Sequence, residues 1–164
     1  MSTNTPEETA GEIEEFLANI EKAKRLSVKV GVFNDVTYPD TRRSNGHLRK
    51  GGQSVLDVGL IHEFGTDKIP RRSFLRMPFE VKSKEIEGVI SSTFNKVLEK
   101  GLDAEIALGR IGAVASSIVE EAFQSGGFGN WKLLEESTVK EKGNSDVLDD
   151  VGILKKSISW EVST

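Results

Sequence analysis

Apolar residues fall at helical spacing through residues 5–25, at Ala10, Ile13, Phe16, Leu17, Ile20 and Ala23. Thr5 can cap this helix, Pro6 suits its first position, and Glu8 completes a capping box. Its first six charges are acidic, and Lys22, Lys24 and Arg25 follow, a polarity that suits the helix dipole. Val28, Val30 and Val32 then alternate with Lys29, Gly31 and Phe33, which predicts a strand over 28–33. Ile158, Trp160 and Val162 alternate in the same way near the other end, and the two strands are expected to pair.

Between these ends the pattern predicts helices. Val55, Val58, Leu60, Ile61 and Phe64 form a short one that Gly65 stops. Ser73 can cap the next, which Phe74, Leu75 and Phe79 open and which runs on through Val97 and Leu98 to Gly101. Pro78 is tolerated only in a first turn, so a break is expected there. Asp103 caps a third long helix, whose apolar face carries small residues that let another helix approach, and residues 125–130 end it. Residues 131–143 read as a loop and a short helix, and Asp150 can cap one further turn through Leu154.

Residues 34–53 break every periodicity. They are polar, basic and rich in turn formers, and an extended or hairpin-like arm is expected. The whole predicts an α+β fold: a small, mainly antiparallel sheet, two long helices packed on one side, an N-terminal helix and a long basic loop. At 164 residues a single domain over 1–164 is expected.

Composition narrows the chemistry. A net charge of −4 supplies no global attraction to nucleic acid or anionic lipid. With no cysteine there are no disulfides, thiolate metal sites or cysteine nucleophiles. The acidic, polar start is unlike a secretory leader, and no apolar run nears the roughly 20 residues of a membrane span. A soluble cytoplasmic chain is the default.

His62-Glu63 suggests metal or acid–base chemistry, but the zincin pattern needs a second histidine four residues on, where Thr66 stands. A hydrogen-bonding role is expected instead, with Glu63 paired to Arg71 or Arg72. Gly126-Gly127-Phe128-Gly129 lacks the spacing of a phosphate loop and reads as a helix stop. No catalytic residue, cofactor or metal is expected. Basic charge is local: six bases and one acid lie in residues 68–84, and Arg42, Arg43, Arg49 and Lys50 in the loop. Such charge could attract phosphates without sequence preference, so a DNA-binding module is the alternative reading.

The most distinctive block is Ile61-His62-Glu63-Phe64-Gly65-Thr66 followed by Ile69-Pro70-Arg71-Arg72-Ser73-Phe74-Leu75-Arg76. With the 28–33 strand, Trp131-Lys132-Leu133-Leu134 plus Ser137-Thr138, and Asp150-Val151-Gly152-Ile153-Leu154 plus Ser157-Ile158, it resembles the tail-completion, or head–tail joining, proteins of long-tailed bacteriophages over about residues 27–162. Ser73 and Leu133 stand where that family commonly has proline, and Asp149 and Val151 also depart from its pattern.

The resemblance implies a non-enzymatic virion part at the head–tail junction, assembled in the bacterial host cytoplasm. It implies a ring of copies, usually a hexamer, around the DNA channel. The implied partners are a tail terminator or tail tube protein on one side and a head connector or adaptor on the other, with genomic DNA nearby and no membrane. Interface residues would be His62, Glu63, Phe64, Gly65, Pro70, Arg71, Arg72, Phe74 and Arg76. Tyr38, Arg42, Arg43, Arg49 and Lys50 would form a docking arm, and Trp131, Asp150, Gly152 and Trp160 would be structural.

Overall fold

The computed structural model describes residues 5–42, 46, 48–143, 148 and 152–164, except the side chains of residues 6, 49, 141 and 142. It is an α+β fold. The elements run α1 (Pro6–Arg25), β1 (Ser27–Val32), β2 (Thr41–Arg42), β3 (Leu48–Arg49), α2 (Val55–Phe64), α3 (Arg76–Val81), α4 (Ser83–Lys100), α5 (Ala104–Gln124), α6 (Glu136–Lys142), α7 (Ile153–Lys156) and β4 (Ile158–Ser163). The expected pairing of the first and last long strands forms: β1 lies beside β4 in a two-stranded sheet. Ser27 meets Ser163 and Lys29 meets Glu161, so the strands run in opposite directions.

Local chemistry sets the helix ends. Thr5 Oγ1 accepts from the Glu8 N–H, and Glu8 Oε2 accepts from the Thr5 N–H at 2.7 Å, which completes the capping box. Ser54 caps α2 through the Asp57 N–H, and Asp103 caps α5 through the Glu105 and Ile106 N–H groups. The break in the predicted long helix falls at Lys82, later than Pro78 suggests. Pro78 sits in the first turn of α3, where its missing N–H costs nothing, and the chain turns only after Val81. The final short helix starts at Gly152, whose φ of 67° suits glycine. Asp150, expected to cap it, lies outside the described residues.

The chain forms two compact units. The first combines Met1–Lys29, Lys84–Val114 and Trp160–Thr164. In it the Asn19 side chain donates to the Leu102 carbonyl and accepts from the Ala104 N–H, which stitches α1 to the turn between α4 and α5. Lys22 adds ion pairs to Asp103 at 2.9 Å and Glu105 at 3.2 Å. Gly109 and Gly112 of α5 receive side chains. A Cβ on Gly112 would lie 2.8 Å from Val28 and 2.9 Å from the Trp160 indole, and one on Gly109 3.2 Å from the same indole.

The second unit combines Val30–Ser83 and Ala115–Ser159. Its core is Tyr38, Val55, Phe74, Val119, Ala122, Trp131, Leu154 and Ile158. Phe123 stacks tilted on Phe74 at 5.3 Å and edge-on to Trp131 at 5.7 Å. The glycine run after α5 makes room for that indole: a Cβ on Gly127 would sit 2.3 Å from Trp131. The basic loop is a hairpin, with Thr41 opposite Arg49 and Arg42 opposite Leu48.

Leu154 is fully buried against α2, so Leu154→Ala is expected to cost about 2–5 kcal/mol in urea denaturation. The exposed Leu133→Ala should stay within about 0.5 kcal/mol. A second expectation concerns pH. The hydrogen bond from Lys22 holds the Asp103 carboxyl below the usual carboxylate range, and Asp103 and then Glu105 raise the Lys22 pKa. The Asp103 contribution is present above its unfolded pKa and is lost as pH falls through the lowered value; the Lys22 contribution is present below its unfolded pKa and is lost as pH rises through the raised one. The stability gap between wild type and Lys22→Met should therefore be widest between about pH 5 and 9 and close below about pH 4. A gap that stays constant across that range contradicts the pairing.

Candidate functional site

The site begins where α2 ends. The Gly65 N–H closes the helix on the Ile61 carbonyl, and Gly65 itself adopts φ 77° and ψ 173°, a region reserved for glycine. A Cβ there would lie 2.9 Å from the Arg71 nitrogen, so the position is closed to side chains in space as well as in torsion. Thr66 then holds the turn: its N–H donates to the Ile69 carbonyl, and its hydroxyl accepts from the Lys68 and Ile69 N–H groups. The Arg72 N–H donates to the His62 carbonyl at 2.7 Å and returns the chain alongside the helix it has just left.

Glu63 fastens this return. Its buried carboxylate accepts from the Ser73 hydroxyl at 2.6 Å and from the Phe74, Leu75 and Arg76 N–H groups at 2.8, 2.9 and 3.4 Å. These N–H groups lie at the start of α3, so the acid also meets the positive end of the helix. Ser73 Oγ in turn accepts from the Met77 N–H, but the cap position of α3 is Leu75, so Ser73, expected to cap the helix, supports its first turn from two residues upstream. The expected ion pair between Glu63 and Arg71 or Arg72 does not form, because the backbone donors occupy the carboxylate. Arg72 is buried too, but its Nε and Nη2 donate to the Lys132 carbonyl at 3.1 and 3.0 Å. Burial lowers its pKa.

Blocks distant in sequence meet here. Arg72 reaches Lys132, and the Trp131 indole N–H donates to the Ser73 carbonyl at 3.3 Å. Leu154, two residues after Gly152, packs near Gly59 of α2 and beside Phe74. A cavity of about 360 Å³ runs along this junction, lined by His62, Ile69, Pro70, Arg72, Leu134 and Leu154 among others. Trp131 and Gly152 are thus structural parts of the second unit, while Trp160 lies on Gly109 and Gly112 of the first.

Glu63, Arg72 and Phe74 are buried within the unit, so they can shape a contact surface without forming it. Phe64, Arg71 and Arg76 remain exposed, and the Arg76 guanidinium lies 5.7 Å from the centre of the Phe64 ring. Phe64 continues a stripe that the sequence reading did not single out: Leu56, Leu60 and Phe64 lie four residues apart on the open face of α2. The stripe borders a second hollow of about 360 Å³ with Val32, Leu75 and Arg76. Its i, i+4, i+8 spacing was legible in the sequence; that it faces outward was not.

In the arm, Arg42 and Lys50 are exposed. Arg43 and the Arg49 side chain lie outside the described residues. Tyr38 is not free to dock. It is buried at the hairpin root, where its N–H donates to the Gln53 carbonyl and its own carbonyl accepts from Gly52. Among the described residues no helix is long and apolar enough to cross a membrane, and no three His, Asp or Glu side chains gather as metal ligands.

Glu63→Ala leaves four donors without their acceptor and is expected to destabilise the second unit by on the order of 3 kcal/mol, and Glu63→Gln by about 2 kcal/mol, both in urea denaturation. Gly65→Ala should cost about 1–3 kcal/mol. Wild-type stability in Glu63→Ala would show that the carboxylate does not hold the turn. Set beside protein-family models, curated proteins and solved structures, the chain matches none of them, so its functional reading rests on the geometry of this turn and on the short motifs it joins.

Proposed function

We propose that this chain is a non-enzymatic assembly subunit of a tailed-phage virion, which forms a ring at the head-proximal end of the tail or in the neck and joins tail to head connector around the DNA channel. The carrying observation is the meeting, in the second unit, of three stretches on which the resemblance rests: the 61–76 turn, the segment from Trp131, and the segment from Gly152 to Ile158. Glu63 is spent on folding the 61–76 block back on itself, and Arg72 and Trp131 on tying it to the segment from Trp131. What they hold out to solvent is an apolar stripe beside exposed arginines, a composition that favours binding another protein surface. The exposed cations of the hairpin suit an acidic partner or the phosphates of passing DNA.

The test is complementation of head–tail joining. A phage lacking this chain should accumulate filled heads and free tails, and the purified protein should join them. The Leu60→Asp, Phe64→Asp double variant should stay folded by circular dichroism yet fail to join. Replacing residues 41–49 with a short turn, which leaves Tyr38 and Gln53 in place, should also spare folding and block joining. Normal particles without the chain would overturn the proposal. Retention on DNA that falls steeply with salt, together with normal joining, would favour the DNA-binding module instead.

A further inference from the structure

We propose that the open apolar face of α1 in one copy of this chain docks antiparallel onto the α2 stripe of a second copy. This rests on the assembly reading for its setting and names the contact that reading leaves open. Among the described residues, α1 and α2 each leave an apolar face exposed. On α2, Leu60 is 57% and Phe64 61% exposed, beside the hollow bordered by Val32, Leu75 and Arg76. On α1, Ile13 is 53% and Leu17 54% exposed.

The two faces match in length. Leu56 to Phe64 spans about 12 Å, and Ile13 to Ile20 about 10 Å, at ~1.5 Å per helical residue. Ala10, Ile13, Leu17 and Ile20 follow the alternating three–four spacing of a helix-packing seam, and Glu7, Glu14 and Glu21 line one flank at seven-residue intervals. A short helical seam in an apolar groove is a common recognition mode.

Charge fixes the partner and the direction. The α1 flank carries Glu7 and Glu14 towards its N-terminus and turns basic at its end, where Lys24 pairs with Glu21 at 2.6 Å, Lys22 is turned to Asp103 and Glu105, and Arg25 follows. The α2 stripe has Arg76 beside Phe64 at its C-terminal end and the exposed Asp57 next to Leu56 at its N-terminal end. Only the antiparallel arrangement sets Glu14 near Arg76 and Lys24 near Asp57. It also opposes the two helix dipoles. Because the contact joins two different surfaces, it closes reciprocally into a twofold dimer or runs head-to-tail into rings or filaments.

The experiment is sedimentation of the purified full-length chain over a wide concentration range. Wild type should self-associate. Leu17→Asp, which spoils the helix face, and Leu60→Asp, which spoils the groove, should each weaken association by roughly 100-fold. Both positions are exposed, so circular dichroism should be unchanged. An equal mixture of the two variants should form a heterodimer and stop there, since it holds one intact face of each kind. Arg76→Glu should weaken association about tenfold, and a partner copy carrying Glu14→Arg should restore it.

A chain that stays monomeric to millimolar concentration, variants that associate like wild type, or a mixture that fails to pair would each overturn the proposal. Any of these alongside intact head–tail joining would reject this contact and leave the assembly role standing. Loss of joining dependence on the chain would reject the assembly role, whatever sedimentation shows.

Discussion

A carboxylate inside a protein is costly unless donors meet it, and the turn after α2 exists in its form because Glu63 is met four times. The donors are supplied by residues 73–76, so the acid cannot be satisfied until the chain has reversed past Gly65. Reversal in turn needs a backbone torsion that only glycine reaches comfortably. Burial of Phe74 follows from the same fold-back, and with it the stacking of Phe123 and Trp131. One buried side chain thereby sets the geometry of the core beside it.

The second unit is assembled from pieces that local sequence does not link. Arg72 and Ser73 belong to one block, Trp131 and Lys132 to another, and Leu154 to a third. Main-chain carbonyls serve as the couplings: that of Lys132 holds a guanidinium, and that of Ser73 holds an indole N–H. Such couplings depend on backbone position rather than on side-chain identity. Leu133, in the same segment, stands open to solvent.

Much of this fold was legible in the sequence because its signals are local. The capping box at Thr5 and Glu8, the Asp103 cap, the stop at Gly65 and the alternation of the first and last long strands each act within a few residues. Pairing of the first and last long strands followed from their matched patterns. The site was less legible. A glutamate two residues before a glycine, with two arginines downstream, suggests an ion pair, since opposite charge is the strongest signal that letters alone convey. In space the backbone N–H groups are closer than either guanidinium, and every sequence carries such groups. The small residues on the apolar face of α5 were read as room for a helix, without Gly109 and Gly112, on which the Trp160 indole lies; spacing shows that room exists but not what fills it. Tyr38 looked like part of a polar loop, yet it is the residue by which that loop is anchored.

The chain has two tryptophans, and the fold gives one to each unit. Trp131 is buried edge-on to Phe123 with its N–H bound to the Ser73 carbonyl, while Trp160 lies on α5 with part of its ring in water. Their emission will differ in wavelength for that reason, so each unit carries its own optical reporter. Replacing one indole at a time by phenylalanine would show whether the two units melt together or apart, with no label added to the molecule.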